Sequence, residues 1–204
     1  MIEDVQKGRT PMQATTLIQA QLNGVHQLFH ACADDLTETE WTTCALPKTN
    51  LPSFTLWHMA RTRDWAVQTA IRGVPEVFAG ERWAGWSGLA MAGIGAGFTL
   101  EQANEVGRSI SRADLLTYAD TVHSAIQIWL SILSDDDLDT VPEMEAHMAS
   151  YKAYQHPGFR AEIADLLGKP IWRLLSGPCS GHMREHLGEL DVLKHVMREG
   201  MGQV

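Results

Sequence analysis

Apolar residues in this chain return every three or four positions, and that rhythm leaves little room for any architecture but a helical one. Ile18, Leu22, Val25, Phe29, Cys32 and Leu36 step by 4, 3, 4, 3 and 4. At about 100° per residue they fall on one narrow stripe of a helix. Leu115, Ala119, Val122, Ile126, Trp129 and Leu133 repeat the pattern, and Met183, Leu187, Leu190, Leu193 and Met197 form a third stripe. Alternation with period two, the mark of a half-buried strand, is weak throughout.

The punctuation between stripes sets expected boundaries. Helix one is expected from about residue 12 to 35, opened by Pro11. The stretch "LPKTNLPS" (46–53) reads as a loop, and a second helix runs from about 53 to 72 with Ser53 as N-cap and Gly73 as terminator. Residues 73–110 read as a long irregular section. The third helix starts at Ser111, where "SRAD" resembles a capping box, and the acidic run "DDDLD" (135–139) closes it. That run lacks the glycine and the final glutamate of a calcium loop, so it reads as a solvated turn. One or two short helices fall in 142–168, and the last helix runs from Pro170 to about Arg198 with a break near Gly177-Pro178. Four long amphipathic helices with two long connections make an all-α four-helix bundle, and 204 residues suit a single domain spanning 1–204.

Composition excludes some roles. A formal net charge of −9 repels phosphate backbones, so nucleic acid is not an expected partner. Residues 83–100 carry no charge, but five glycines make a loop the better reading than a membrane span. Gly93, Gly95 and Gly97 fail the dinucleotide fingerprint, whose sixth position is Phe98 here. GxSxG does not occur, which leaves no nucleophile elbow. Cys32, Cys44 and Cys179 are odd in number, with no CxxC, and the first residues show no signal-peptide pattern. A cytoplasmic protein is expected. Cys32 reads as core filler, and Cys179, three residues before His182, as a small packing residue.

Histidines carry the chemical signal. His26/His30 and His182/His186 are both i, i+4 pairs, which puts each pair on one helix face, as a shared metal needs. Relative to the helix-one stripe, His26 and His30 lie about 80° and 120° off, flanking the core and drifting toward solvent. His186 and His182 lie about 35° and 75° from the centre of their stripe, so this pair looks into the bundle or at its mouth. A buried imidazole wants a partner, and a metal, a carboxylate or a carbonyl would each serve. His58, early in the second helix, is the candidate third ligand. Both faces of that helix are apolar, so periodicity does not choose its buried side.

A histidine in "LWHMARTRDW" followed about 120 residues later by "HMREHLGEL" resembles the DinB-like superfamily of metalloenzymes. Gly188-Glu189 and the preceding "PIWRLLSG" are similar to that family's last helix, and the resemblance spans essentially the whole chain. It implies a four-helix bundle and a divalent metal held by His58, His182 and His186. Zinc or nickel is expected before iron. Relatives include mycothiol-dependent maleylpyruvate isomerase and thiol transferases using bacillithiol or mycothiol, and members often form homodimers. The function implied is activation of a low-molecular-weight thiol, or water, toward a small electrophilic substrate. The alternatives are a non-catalytic bundle with a structural or empty site and a metal-hydroxide hydrolase. Glu189 and Asp64 are candidates to support the ligands, though surface carboxylates are the favoured reading. Arg61 and Arg63 either attract a carboxylate of the substrate or thiol or are ordinary helix-surface charges, the favoured reading. Trp83 and Trp86 either form a lid or pack against the bundle mouth.

Overall fold

The computed structural model describes residues 12–80, 82–83 and 93–201. Among these residues the structure is helical, with no strand. Pro11 and Trp86 lie outside the described residues.

The first long helix, α1, spans Ala14–Asp35 and buries Ile18, Leu22, Val25, Phe29 and Cys32, the stripe its sequence shows. Its N-terminus is capped from far away. Asp135 accepts from the backbone N–H groups of Ala14 (2.9 Å) and Thr15 (3.0 Å), whose first-turn donors have no partner inside the helix. The first residue of the acidic run is therefore a cap rather than free turn chemistry. A short helix, α2 (Glu38–Trp41), follows behind a capping box of Thr37 and Glu40.

Helix α3 spans Pro52–Asp64 and continues as a π-helical stretch, Trp65–Ile71. Its N-cap is Leu51 with Pro52 in the first turn, not Ser53. Pro52 has no N–H to leave unpaired, and Ser53 is buried where a Cβ on Gly107 would sit 2.7 Å from its Oγ. Every residue from Pro52 to Ile71 is buried. Gly73, at φ +62°, ends the segment in the left-handed region that glycine tolerates.

Residues 100–109 are not irregular. They form α4 (Leu100–Ser109), capped by Thr99 and Gln102 in a reciprocal box. Helix α5 spans Arg112–Leu130, with the Ser111 hydroxyl accepting from the Asp114 N–H. Two short helices, α6 (Met144–Met148) and α7 (Pro157–Glu162), occupy the mixed region. The last segment runs as α8 (Ile171–Ser176), a π turn (Gly177–Gly181) and α9 (His182–Met201). The break at Gly177-Pro178 is thus a π turn.

Helix α1 packs against α5 and α9, and α3 against α4, α5 and α9. Each fully buried leucine or phenylalanine in these seams contributes about 1.5–3 kcal/mol. No described helix is long and apolar enough to cross a membrane.

Arg61 and Arg63, expected on the surface, are 1% and 2% exposed because α3 is enclosed on every side. Arg61 donates to Glu76 Oε2 (2.6 Å), Asp64 Oδ2 (3.3 Å) and the Tyr118 hydroxyl (3.0 Å). Asp64 is likewise no surface carboxylate and does not touch His58. It accepts from the N–H groups of Val77 and Phe78, both at 3.0 Å, and from the Tyr118 hydroxyl at 2.6 Å. Burial pushes its carboxyl up to about 6, against the opposing pull of Arg61. Trp83 packs edge-on against Tyr118 at 5.1 Å, inside this cluster rather than over the bundle mouth.

Candidate metal centre

His58 sits in the second turn of α3, enclosed by protein. Its Nδ1 lies 2.6 Å from the Ile94 carbonyl oxygen. A carbonyl only accepts, so Nδ1 carries the proton and Nε2 presents its lone pair. That carbonyl is positioned in turn. Arg61 Nε donates to the neighbouring Gly93 carbonyl at 3.0 Å. Gly95, at φ +86°, lets the loop lie so close to α3 that a Cβ there would be 2.9 Å from Phe54. The glycine-rich segment therefore brings backbone against the histidine.

Helix α9 supplies the other two rings from adjacent turns. His186 Nδ1 is 2.9 Å from Glu189 Oε2, so its Nε2 lone pair is free as well. Glu189 is exposed, as expected of a surface acid, and also orients His186, the reading given less weight from sequence. His182 lies between the other two. Its Nε2 is 3.2 Å from His58 Nε2 and 3.1 Å from His186 Nε2. The rings stand nearly perpendicular to one another, at 73–86°, so they converge instead of stacking.

A neutral His182 holds one proton and faces two lone pairs, so at least one Nε2 lacks a donor. Its own Nδ1 is buried without a hydrogen-bond partner. A cation among the three nitrogens removes the conflict. Metal–nitrogen bonds of about 2.0–2.1 Å put tetrahedral ligands about 3.4 Å apart, close to the spacing here. All three residues offer ligand atoms within 4.8 Å of one another, so the group could hold a metal ion. Burial lowers His58 to about 4, and burial with the two neighbouring imidazoles lowers His182 to about 3. Both are neutral at physiological pH, the form that coordinates.

Two cavities open beside the group. One of about 360 Å³ is lined by the three histidines with Phe54, Phe98 and Glu185. The other, about 470 Å³, lies against His182, Thr62, Trp65, Ile94, Glu162 and Arg173. Cys179 is buried beside Arg63 and outside the group, with its thiol pushed up to about 12 by burial. Sequence reasoning missed the Ile94 carbonyl, since a backbone acceptor leaves no trace in residue identity. It also missed Asp120, which gathers the other histidine pair.

No family model and no curated protein matches this chain. Among solved structures it is similar to the one titled crystal structure of the conserved protein of locus from Enterococcus faecalis. The TM-score is 0.63 at 15% identity, covering 93% of this chain and 99% of that one. A likeness at that identity is one of fold alone.

Proposed function

We propose that the protein is a divalent-metal-dependent enzyme of DinB-like four-helix-bundle topology, with His58, His182 and His186 as the metal ligands. The observation that carries this reading is the forced pair of tautomers. Ile94 and Glu189 each fix a proton on Nδ1, which turns two Nε2 lone pairs toward a third imidazole. Imidazole donors suit zinc or nickel, and iron after them.

A divalent ion at three neutral imidazoles keeps its charge uncompensated and lowers the pKa of a thiol or water that binds it. The chain's own groups do the rest. Glu189 holds the His186 proton and makes that ring a stronger donor. Phe54 and Phe98 line an apolar wall of the cavity that faces the three rings, and Glu185 stands beside them to accept a proton. This environment favours a small electrophile attacked by a low-molecular-weight thiol. A purely structural metal site is less consistent with two cavities at the ligands, because structural sites are closed.

Elemental analysis of tag-free protein, with zinc and nickel supplied, tests the ligand set. Wild type is expected to carry metal that His186→Ala lacks, and equal contents in the two would overturn the reading. Turnover of electrophiles should then require added thiol. Turnover unchanged without thiol would favour hydrolysis instead.

A further inference from the structure

A second group of metal-ligating side chains lies between α1 and α5, apart from the three histidines above. His26 and His30, one turn apart on α1, both aim Nε2 at the same oxygen of Asp120 on α5. The distances to Oδ1 are 3.0 Å and 2.7 Å. A carboxylate has two oxygens to share between two N–H donors, yet both rings converge on one. The three ligand atoms lie within 4.8 Å of one another. Ligand atoms about 2.1 Å from a shared metal lie about 3.0 Å apart in octahedral and about 3.4 Å apart in tetrahedral geometry, and the two nitrogens stand 3.0 Å and 2.7 Å from the carboxylate oxygen.

The surroundings hold the rings in place. His123 stacks flat on His26 with centroids 4.0 Å apart and 10° between planes. Arg63 Nη2 lies 3.1 Å from His123 Nδ1, so that nitrogen accepts and His123 Nε2 donates to Asn23 Oδ1 at 2.9 Å. His123 is therefore a fixed wall with both nitrogens engaged, and not a fourth ligand. Asp120 is half exposed and His30 partly so, which leaves an outward side open to water.

We propose that His26, His30 and Asp120 form a second divalent-metal site, of two-histidine, one-carboxylate type. Its ligand set suits zinc or iron with open positions for water or a substrate oxygen. The single carboxylate supplies the charge that the three-histidine group lacks. The Arg63 guanidinium, close behind His123, opposes a cation and offsets part of that charge. The inference does not depend on what the three-histidine group does.

Zinc alone is the probe. Tag-free protein is equilibrated by dialysis against zinc, and the bound metal is counted for wild type, His30→Ala, Asp120→Asn and His186→Ala. Two zinc ions per wild-type chain are expected, falling by half in each variant and to near zero in His30→Ala combined with His186→Ala. His30 and Asp120 are exposed enough for these changes to leave the fold intact, and Asp120→Asn preserves size. Wild-type zinc content in both His30→Ala and Asp120→Asn would overturn the second site. Zinc content cut by His30→Ala but untouched by His186→Ala would support the second site and sink the three-histidine one.

Discussion

At the scale of single residues, the distribution of protons over the imidazoles decides what the site can do. Glu189 and the Ile94 carbonyl act through the far nitrogen of a ring and never reach the space between the three. Groups in this position typically change metal affinity 10–100-fold. Glu189 is exposed, so its removal costs little stability, within about 0.5 kcal/mol. Glu189→Ala is therefore expected to weaken metal binding at least tenfold with its melting temperature nearly unchanged. Competition with a chromogenic chelator measures the first and a thermal melt the second. Unaltered affinity would mean that His186 keeps its tautomer without help. Glu189 was visible from sequence as an acid three residues after a histidine, and only distances could separate it from the many exposed acids that orient nothing.

At the scale of elements, α3 explains what periodicity could and could not reveal. The stripes of α1, α5 and α9 were legible because each has a wet face, and the structure buries them except Trp129, Leu133 and Leu187, which are only partly buried, while Tyr118 and Leu130 are buried on α5 instead. Helix α3 has no wet face, so its pattern held no direction, and charges that look like surface residues in a list became buried ones. Arg61 illustrates the cost. It pairs with Asp64 and Glu76 and also holds the loop whose next carbonyl orients His58. Removing one partner of a buried ionic cluster costs about 3–5 kcal/mol. Arg61→Ala is expected to lose that much by urea denaturation and to weaken metal binding through His58. A loss under about 1 kcal/mol would show that the loop is held by its glycines and aromatic contacts instead. Helix α4 was missed for a different reason. Its Thr99–Gln102 box is a clear start signal, but the glycine run just before it dominated the local reading.

At the scale of the whole molecule, the neutral histidines tie stability to pH. Burial holds His26 and His58 near 4 and His123 and His182 near 3, against about 6.5 in an unfolded chain. Between those values the unfolded chain binds more protons, so stability rises with pH. The stabilisation is complete above about pH 7 and is lost as pH falls through 6.5 toward 4. Asp64 runs the other way, taking up a proton in the folded state between about 4 and 6, and offsets part of the loss. Metal-free protein is expected to show a level urea midpoint from pH 8 to 7 and a falling one below 6.5. A midpoint that stays level down to pH 5 would contradict the burial of these rings. The all-helical class was readable from the chain; the gathering of His26 and His30 around Asp120 was not, because the carboxylate comes from another helix 90 residues away.

The π turn at Gly177–Gly181 acts as a timing device. A π turn holds about one residue more than an α turn, and each α-helical residue advances about 100° around the axis. His182 begins α9 directly after it. The azimuth of the whole His182/His186 pair is thus dialled in by five uncharged residues that lie outside the three-histidine group. Dropping one of them would leave every histidine in the chain and swing His182 and His186 away from His58. What a motif search sees as HxxxH is, in space, the output of a spacer that stands outside the motif.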